Sequence, residues 1–119
     1  MYVLGISAFY HDSAACLLRD NVVVAAAQEE RFSRKKHDWG FPHKAIEYCL
    51  KEAGITADQV DYVGFYEKPF LKFERLLFQC VETFPASLPV FVQSIPAWLS
   101  EKLSVSKPIR AMGIKAPIY

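Results

Sequence analysis

The chain has 119 residues, 52% of them hydrophobic, and a formal net charge of +1. That length suits one domain with one core, burying roughly 65% of its unfolded surface, and the apolar content excludes a disordered chain. A near-neutral charge provides no global field for nucleic acid or membrane, and no apolar run is long enough to cross a bilayer.

Tyr2 to Ser7 predicts a first strand and Ala14 to Arg19 a second. Asp20-Asn21 tolerates positive φ and suits a tight hairpin turn. Asn21 to Glu29 predicts a third strand. Its Ala25-Ala26-Ala27 run favours helix by propensity, but the turn and the Val22-Val23-Val24 run before it favour strand. The three segments make an antiparallel meander. Residues 31–42, RFSRKKHDWGFP, read as a polar loop punctuated by Gly40 and Pro42. Pro42 opens a helix, where its missing N–H costs nothing. Ala45, Ile46, Cys49, Leu50 and Ala53 share one face of it, and Gly54 stops it. Thr56-Ala57-Asp58-Gln59 has the form of a capping box. Val60 to Tyr66 predicts a fourth strand. It arrives through a helix, so it should lie parallel to a central strand.

Pro69 to Phe84 predicts a second long helix. Phe70, Phe73, Leu77, Cys80, Val81 and Phe84 form a stripe. Leu71, Leu76 and Phe78 make the other side apolar too, so the helix calls for partners on several sides. Pro85, Pro89 and Pro96 then interrupt the chain. Ser94 is placed to cap a third helix running to about Leu103. Ile109 to Met112 predicts a helical turn ending at Gly113, and Lys115 to Tyr119 the start of another strand. Cys16, Cys49 and Cys80 lie far apart and form no CxxC. They read as three reduced core cysteines of a cytoplasmic protein. Met1-Tyr2-Val3 has no basic opening of a signal peptide.

Residues 5–15, GISAFYHDSAA, carry the first chemistry. His11, Asp12 and Ser13 cannot form a triad with one another, because neighbouring side chains of an extended segment point to opposite faces. No GxSxG elbow is present. Two readings stand: a structural turn in which Asp12 and Ser13 bond local backbone, or a site residue at His11, placed at a strand end for proton transfer. Arg31, Arg34, Lys35, Lys36, His37, His43 and Lys44 form a basic stretch. It could bind a phosphate or acidic substrate near the helix start at Pro42, or be a solvated loop. His37 and His43 lack the HExxH spacing, and no metal site is expected from them with His11. Phosphate-binding glycine loops are absent. The first strand carries Ser7 and no acid, which disfavours a metal-dependent nuclease and a sugar-kinase-like ATPase.

Residues 2–55, YVLGISAFYHDSAACLLRDNVVVAAAQEERFSRKKHDWGFPHKAIEYCLKEAGI, and 61–77, DYVGFYEKPFLKFERLL, closely resemble the O-carbamoyltransferase family of the nodulation-factor, aminoglycoside and cephamycin type. The combination of HDSAA, EERFSRKKHD and FYEKP is specific. The likeness runs from Tyr2 to about Leu77, weakens through the prolines and returns at IKAPIY. It implies an α/β fold: a ribonuclease-H-like half-domain of the actin and sugar-kinase superfold, whose mixed sheet joins the meander to parallel strands. It further implies an enzyme that makes carbamoyladenylate from carbamoyl phosphate and ATP. The carbamoyl group then passes to a hydroxyl of a natural product.

His11 matches the family histidine of the first loop. The resemblance makes it a general base on the acceptor hydroxyl, or a group that stabilises the transferring carbamoyl. Ser13, Arg31, Arg34, Lys35 and Lys36 are weaker ligand-contact candidates on the same ground. In the family, a paired-histidine metal motif follows the strand that IKAPIY resembles. That motif, the second lobe and the YrdC-like adenylating domain do not occur in residues 1–119, which therefore correspond to the first part of the N-terminal domain. No cofactor is expected on this chain alone, while ATP and a divalent metal, iron by the resemblance, serve the complete enzyme. The expected partners are the remainder of the enzyme or a second chain, a further copy in a homo-oligomer, carbamoyl phosphate and an acceptor alcohol. Nucleic acid and membrane are not expected. The alternative is a non-enzymatic module that pairs with itself or with another chain.

Overall fold

The computed structural model describes residues 1–67, 69–89, 92–93, 96 and 105–119, with only the backbone of 69–72. The chain divides into two units, residues 1–67 with 108–119, and residues 68–107. The first unit holds a four-stranded sheet of β1 (Tyr2–Ser7), β2 (Ala14–Arg19), β3 (Val22–Gln28) and β4 (Tyr62–Phe65), in the order β3-β2-β1-β4. β1 and β3 both pair antiparallel with β2, and β4 pairs parallel with β1. The expected α/β class, the meander and the parallel fourth strand are all present. Asp20 and Asn21 have φ of 50° and 66°. Left-handed geometry at both central residues matches the right-handed twist of the strands they join.

Alternation along the strands sets the core. Leu4, Ile6, Ala15, Leu17, Ala25 and Val63 are buried. Helix α2 (His43–Ala53) lays Ala45, Ile46, Cys49 and Leu50 into the same core, and Gly54 closes it with φ 66°. A single-turn helix, α1 (Glu30–Ser33), comes before it. A 3-10 turn at Ala57–Gln59 follows, with the predicted capping box closed between Thr56 and Gln59.

Several expectations are corrected. The third strand stops at Gln28, because Glu29 leaves the ladder to open α1; the polar loop thus begins as a helical turn. Pro42 caps α2 rather than opening it, and its carbonyl accepts the Ile46 N–H at 3.0 Å. The fourth strand shortens to four residues. In the second unit α3 spans Pro69–Glu82, and the helix proposed from Ser94 to about Leu103 lies outside the described residues. Helix α4 covers Ser106–Ala111 rather than 109–112, with Gly113 beyond it at φ 84°. The strand expected at Lys115–Tyr119 is a single parallel bridge, Ile118 to Val63. Its two bonds are Val63 N–H to Pro117 O and Tyr119 N–H to Val63 O, and Phe65 N–H to Tyr119 O adds a third, all at 2.8–2.9 Å. All three cysteines are free, but only Cys49 is buried. Its sulfur lies 3.7 Å from the carbonyl oxygens of both Ala15 and Ala25, which share its single S–H, and burial pushes the thiol up to about 11. Cys16 is half-buried because it alternates with buried Ala15 and Leu17 and so faces away from the core.

One carboxylate joins these elements. Glu29 is 6% exposed. Its Oε1 accepts the Lys44 N–H at 3.2 Å and its Oε2 the Ala45 N–H at 2.8 Å. Both donors belong to the first turn of α2, where backbone N–H groups have no partner within the helix and the dipole favours negative charge. Pro42, at the cap position, makes no side-chain bond. Glu29 performs that task from the end of β3. Glu29→Ala strands two N–H groups and is expected to cost about 3 kcal/mol in urea unfolding, and Glu29→Gln about 1 kcal/mol because one oxygen is kept. A change below 0.5 kcal/mol for the alanine variant, within the range of an ordinary surface site, contradicts the assignment.

Candidate functional site

Because β1 and β4 run parallel, their C-terminal ends emerge at one edge of the sheet. Ile6 is in register with Phe65, and the Tyr66 N–H donates to the Ile6 carbonyl at 3.1 Å. Residues 8–13 leave β1 at this edge and turn back into β2, with Phe9 at φ 68°. A second loop, residues 34–40, holds them. The Phe9 N–H donates to Trp39 O at 2.7 Å, and the Ser13 N–H to Asp38 O at 2.8 Å. The Ser13 hydroxyl donates to that same carbonyl at 2.8 Å. His37 Nδ1 meets Asp12 Oδ1 at 2.9 Å, and the His37 N–H donates to Glu30 Oε2 at 3.2 Å. Ser13 O accepts the Glu29 N–H, which anchors the loop to the end of β3.

These contacts place the candidates differently. His11 is exposed, and its ring lies 4.1 Å from that of Tyr10. The bonds between the loops pass through Phe9, Asp12 and Ser13, leaving the imidazole of His11 at the surface. Ser13 is 1% exposed and its hydroxyl is engaged by Asp38. The expected turn, with Asp12 and Ser13 bonded to local backbone, is corrected: Asp12 meets the His37 ring and Ser13 the Asp38 carbonyl, each 25 residues away. Arg34, Lys35 and Lys36 are exposed on the strapping loop, where Arg34 closes α1 at φ 59°. Arg31 lines, with Phe32 and Tyr48, a groove of about 560 Å³ against β2 and β3.

Sequence reading missed Glu29, Glu30, Asp38 and Tyr66. A signal existed for the first three, as acids flanking the basic run in EERFSRKKHD. Asp38 is held below the ordinary carboxylate value first by the Ser33 hydroxyl and then by the Gly40 N–H, with Lys35 and Lys44 adding positive charge. Tyr66 is pushed up to about 12 by burial, with the Glu67 charge and hydrogen bond and the Tyr10 phenol adding to it. Among the described residues, Asp12, Glu30 and His37 each bring one metal-ligating atom within 4.8 Å of the others. That set takes neither His11 nor His43, and it is not the paired-histidine motif that the resemblance implies.

Fold and strand ends together define the class: an α/β domain in which two bonded loops meet at the C-terminal ends of a parallel strand pair, where such sheets usually carry their ligands. A family model described as Carbamoyltransferase N-terminus matches residues 2–115, and the chain belongs to that family. It is 58% identical over 102 residues to uncharacterized protein sll1178 of Synechocystis, covering 86% of this chain and 17% of that one. It is 45% identical over 58 residues to nodulation protein NolNO of Sinorhizobium fredii, covering 49% and 8%. An uncharacterized 19.2 kDa protein of Rhizobium etli is 40% identical over 60 residues, covering 50% and 35%. The chain thus matches less than a fifth of the length of the first two and about a third of the last.

A lowered Asp38 stabilises the fold at neutral pH, and that contribution is lost as pH falls through its folded value. Carbon-detected NMR titration should place its midpoint below 3.8, and Ser33→Ala should move it back towards 3.8. A wild-type midpoint at or above 3.8 contradicts the Ser33 bond.

Proposed function

We propose that residues 1–119 are the first part of an O-carbamoyltransferase, which moves a carbamoyl group from carbamoyladenylate to an alcohol. The supporting observation is the family match over residues 2–115 together with the strap that sets the His11 loop against the basic loop. The four-strand order, a meander followed by a parallel strand, is compatible with a ribonuclease-H-like half-domain.

In this reading His11 takes the proton of the acceptor hydroxyl as its oxygen attacks the carbamoyl carbon. The bond from that carbon to the adenylate phosphate oxygen breaks, and AMP leaves with its charge. Arg34, Lys35 and Lys36 lie on the adjoining loop, where cations favour a departing phosphate, and Arg31 is a further contact. Ser13 serves by holding the loop. The described residues do not supply the paired histidines for the family metal, so no step is assigned to a metal here. ATP, carbamoyl phosphate, the rest of the enzyme and a cytoplasmic setting belong to the same proposal; no described helix is long and apolar enough to cross a membrane.

Given carbamoyl phosphate, ATP, a divalent ion and a polyol, the chain alone should form no carbamoylated product by mass spectrometry. A chimera that places it ahead of the remainder of the Synechocystis relative should form that product. His11→Ala in the chimera should lower kcat about 10³-fold with little change in KM. Turnover by the isolated chain, or an unchanged kcat in the His11 variant, overturns the corresponding claim.

A second reading, as an interaction module, is favoured by the second unit. Phe78, Val81 and Phe84 are 63%, 68% and 65% exposed. A groove of about 280 Å³ runs between Leu77, Cys80, Val81, Phe84 and Leu88. Exposed apolar surface of this kind marks interaction sites. Light scattering should show self-association that Phe78→Asp with Val81→Asp abolishes; a monomer at high concentration rules out the homo-oligomer.

A further inference from the structure

Between the two loops, one residue is held at two points. The His37 N–H donates to Glu30 Oε2 at 3.2 Å, and its ring Nδ1 meets Asp12 Oδ1 at 2.9 Å. A carboxylate only accepts, so the ring carries its proton on Nδ1 and donates it to Asp12. Glu30 opens α1, and Asp12 directly follows His11. His37 thereby ties the helical turn to the loop that carries the transfer histidine. Its own backbone is left-handed, with φ 55°.

The side chains of His37 and Asp12 are 70% and 36% exposed, and a pair so exposed adds little to folding. Other bonds fasten the two ends of the His11 loop: Phe9 to the Trp39 carbonyl, and Ser13 twice to that of Asp38. The contact of Asp12 with His37 falls between those ends. Its effect is therefore local, on the stretch that holds His11. The peptide from His11 to Asp12 is planar. Pinning Asp12 thus restricts the direction in which the His11 side chain leaves the loop, while the ring of Tyr10 meets that of His11 edge-on at 4.1 Å.

We propose that His37 is a positioning residue: acting through Asp12, it sets the direction of the His11 imidazole. The inference rests on the reading of His11 as the base in carbamoyl transfer and adds what holds that base in place. A general base must stand within about 2.6–3.2 Å of the group it deprotonates, and a misplacement of about 1 Å costs about 10²-fold in rate. An exposed imidazole on a loop has no core packing to meet that tolerance. The bond from His37 to Asp12 supplies the restraint. It needs an N–H at the δ position and no charge on the ring, because neutral and protonated imidazole both donate from Nδ1.

His37→Asn and His37→Asp form the test. Both side chains tolerate the left-handed backbone of this position. Asparagine keeps a δ N–H for Asp12, whereas aspartate of the same shape offers only a repelling oxygen. In the 119-residue chain, the heteronuclear NOE at His11 and Asp12 should stay at the parent level in His37→Asn and fall in His37→Asp. Ser13 should be unchanged in both, and thermal unfolding should match the parent. Asp12→Ala, which removes the acceptor, should mobilise His11 in the same way. In the chimera His37→Asp should lower kcat about 10²-fold at unchanged KM, and His37→Asn less than about threefold. Once His11 is alanine, His37→Asp should cost nothing further. Unchanged order at His11 in His37→Asp, equal losses in the two variants, or a full additional loss in the His11→Ala background overturns the proposal. Mobility of His11 in a folded His37→Asp chain, together with an inactive parent chimera, removes the carbamoyl-transfer reading and leaves the positioning of His11 standing.

Discussion

The buried carboxylate of Glu29 is the point on which the first unit turns. It ends β3, begins α1 and caps α2, and its own N–H holds the carbonyl of Ser13 at the far end of the His11 loop. A carboxylate at 6% exposure is costly unless its oxygens are occupied. Two helix N–H groups occupy them, and the positive end of α2 compensates the charge. Burial of Ala45, Ile46, Cys49 and Leu50 then holds the helix in place to keep those donors there.

From that junction the edge of the sheet is assembled in steps. Glu29 positions Ser13, and Ser13 with Phe9 binds the backbone of residues 38 and 39. Asp12 and Glu30 then take the two donors of His37. The result leaves His11 exposed on a loop that Phe9, Asp12 and Ser13 tie to the basic loop. Its neighbours in the loop are held by the fold. The tie also separates roles that look alike in the motif HDS: Asp12 and Ser13 are tied inward, while His11 faces out.

Much of the first unit was legible from local rules. The spans read for β1 and β2 match to the residue, Asp20-Asn21 located the hairpin, and Thr56 to Gln59 located the capping box. Each is decided by neighbours within a few positions, where side-chain period and turn chemistry act directly. The errors fall where distant residues intervene. The third strand was read through Glu29 because the carboxylate's partners lie 15 and 16 residues onward. The loop from Arg31 hid a helical turn for the same reason. Cys16 and Cys80 read as core cysteines alongside Cys49, but both are half-buried, and strand alternation turns Cys16 to the other face.

The sequence by itself determined the order of the elements, the mixed sheet and, through HDSAA, EERFSRKKHD and FYEKP, the family. It could single out His11 because an imidazole at a strand end is chemically conspicuous. Only the tertiary structure decided which of the other polar residues are structural. Ser13 and Asp12 were separated from His11 by bonds to residues 25 positions away. Tyr66 was brought beside Tyr10 by the parallel pairing of β4 with β1. Those distances are set by burial of a shared core and by register between strands, and neither is written in any local stretch of the chain.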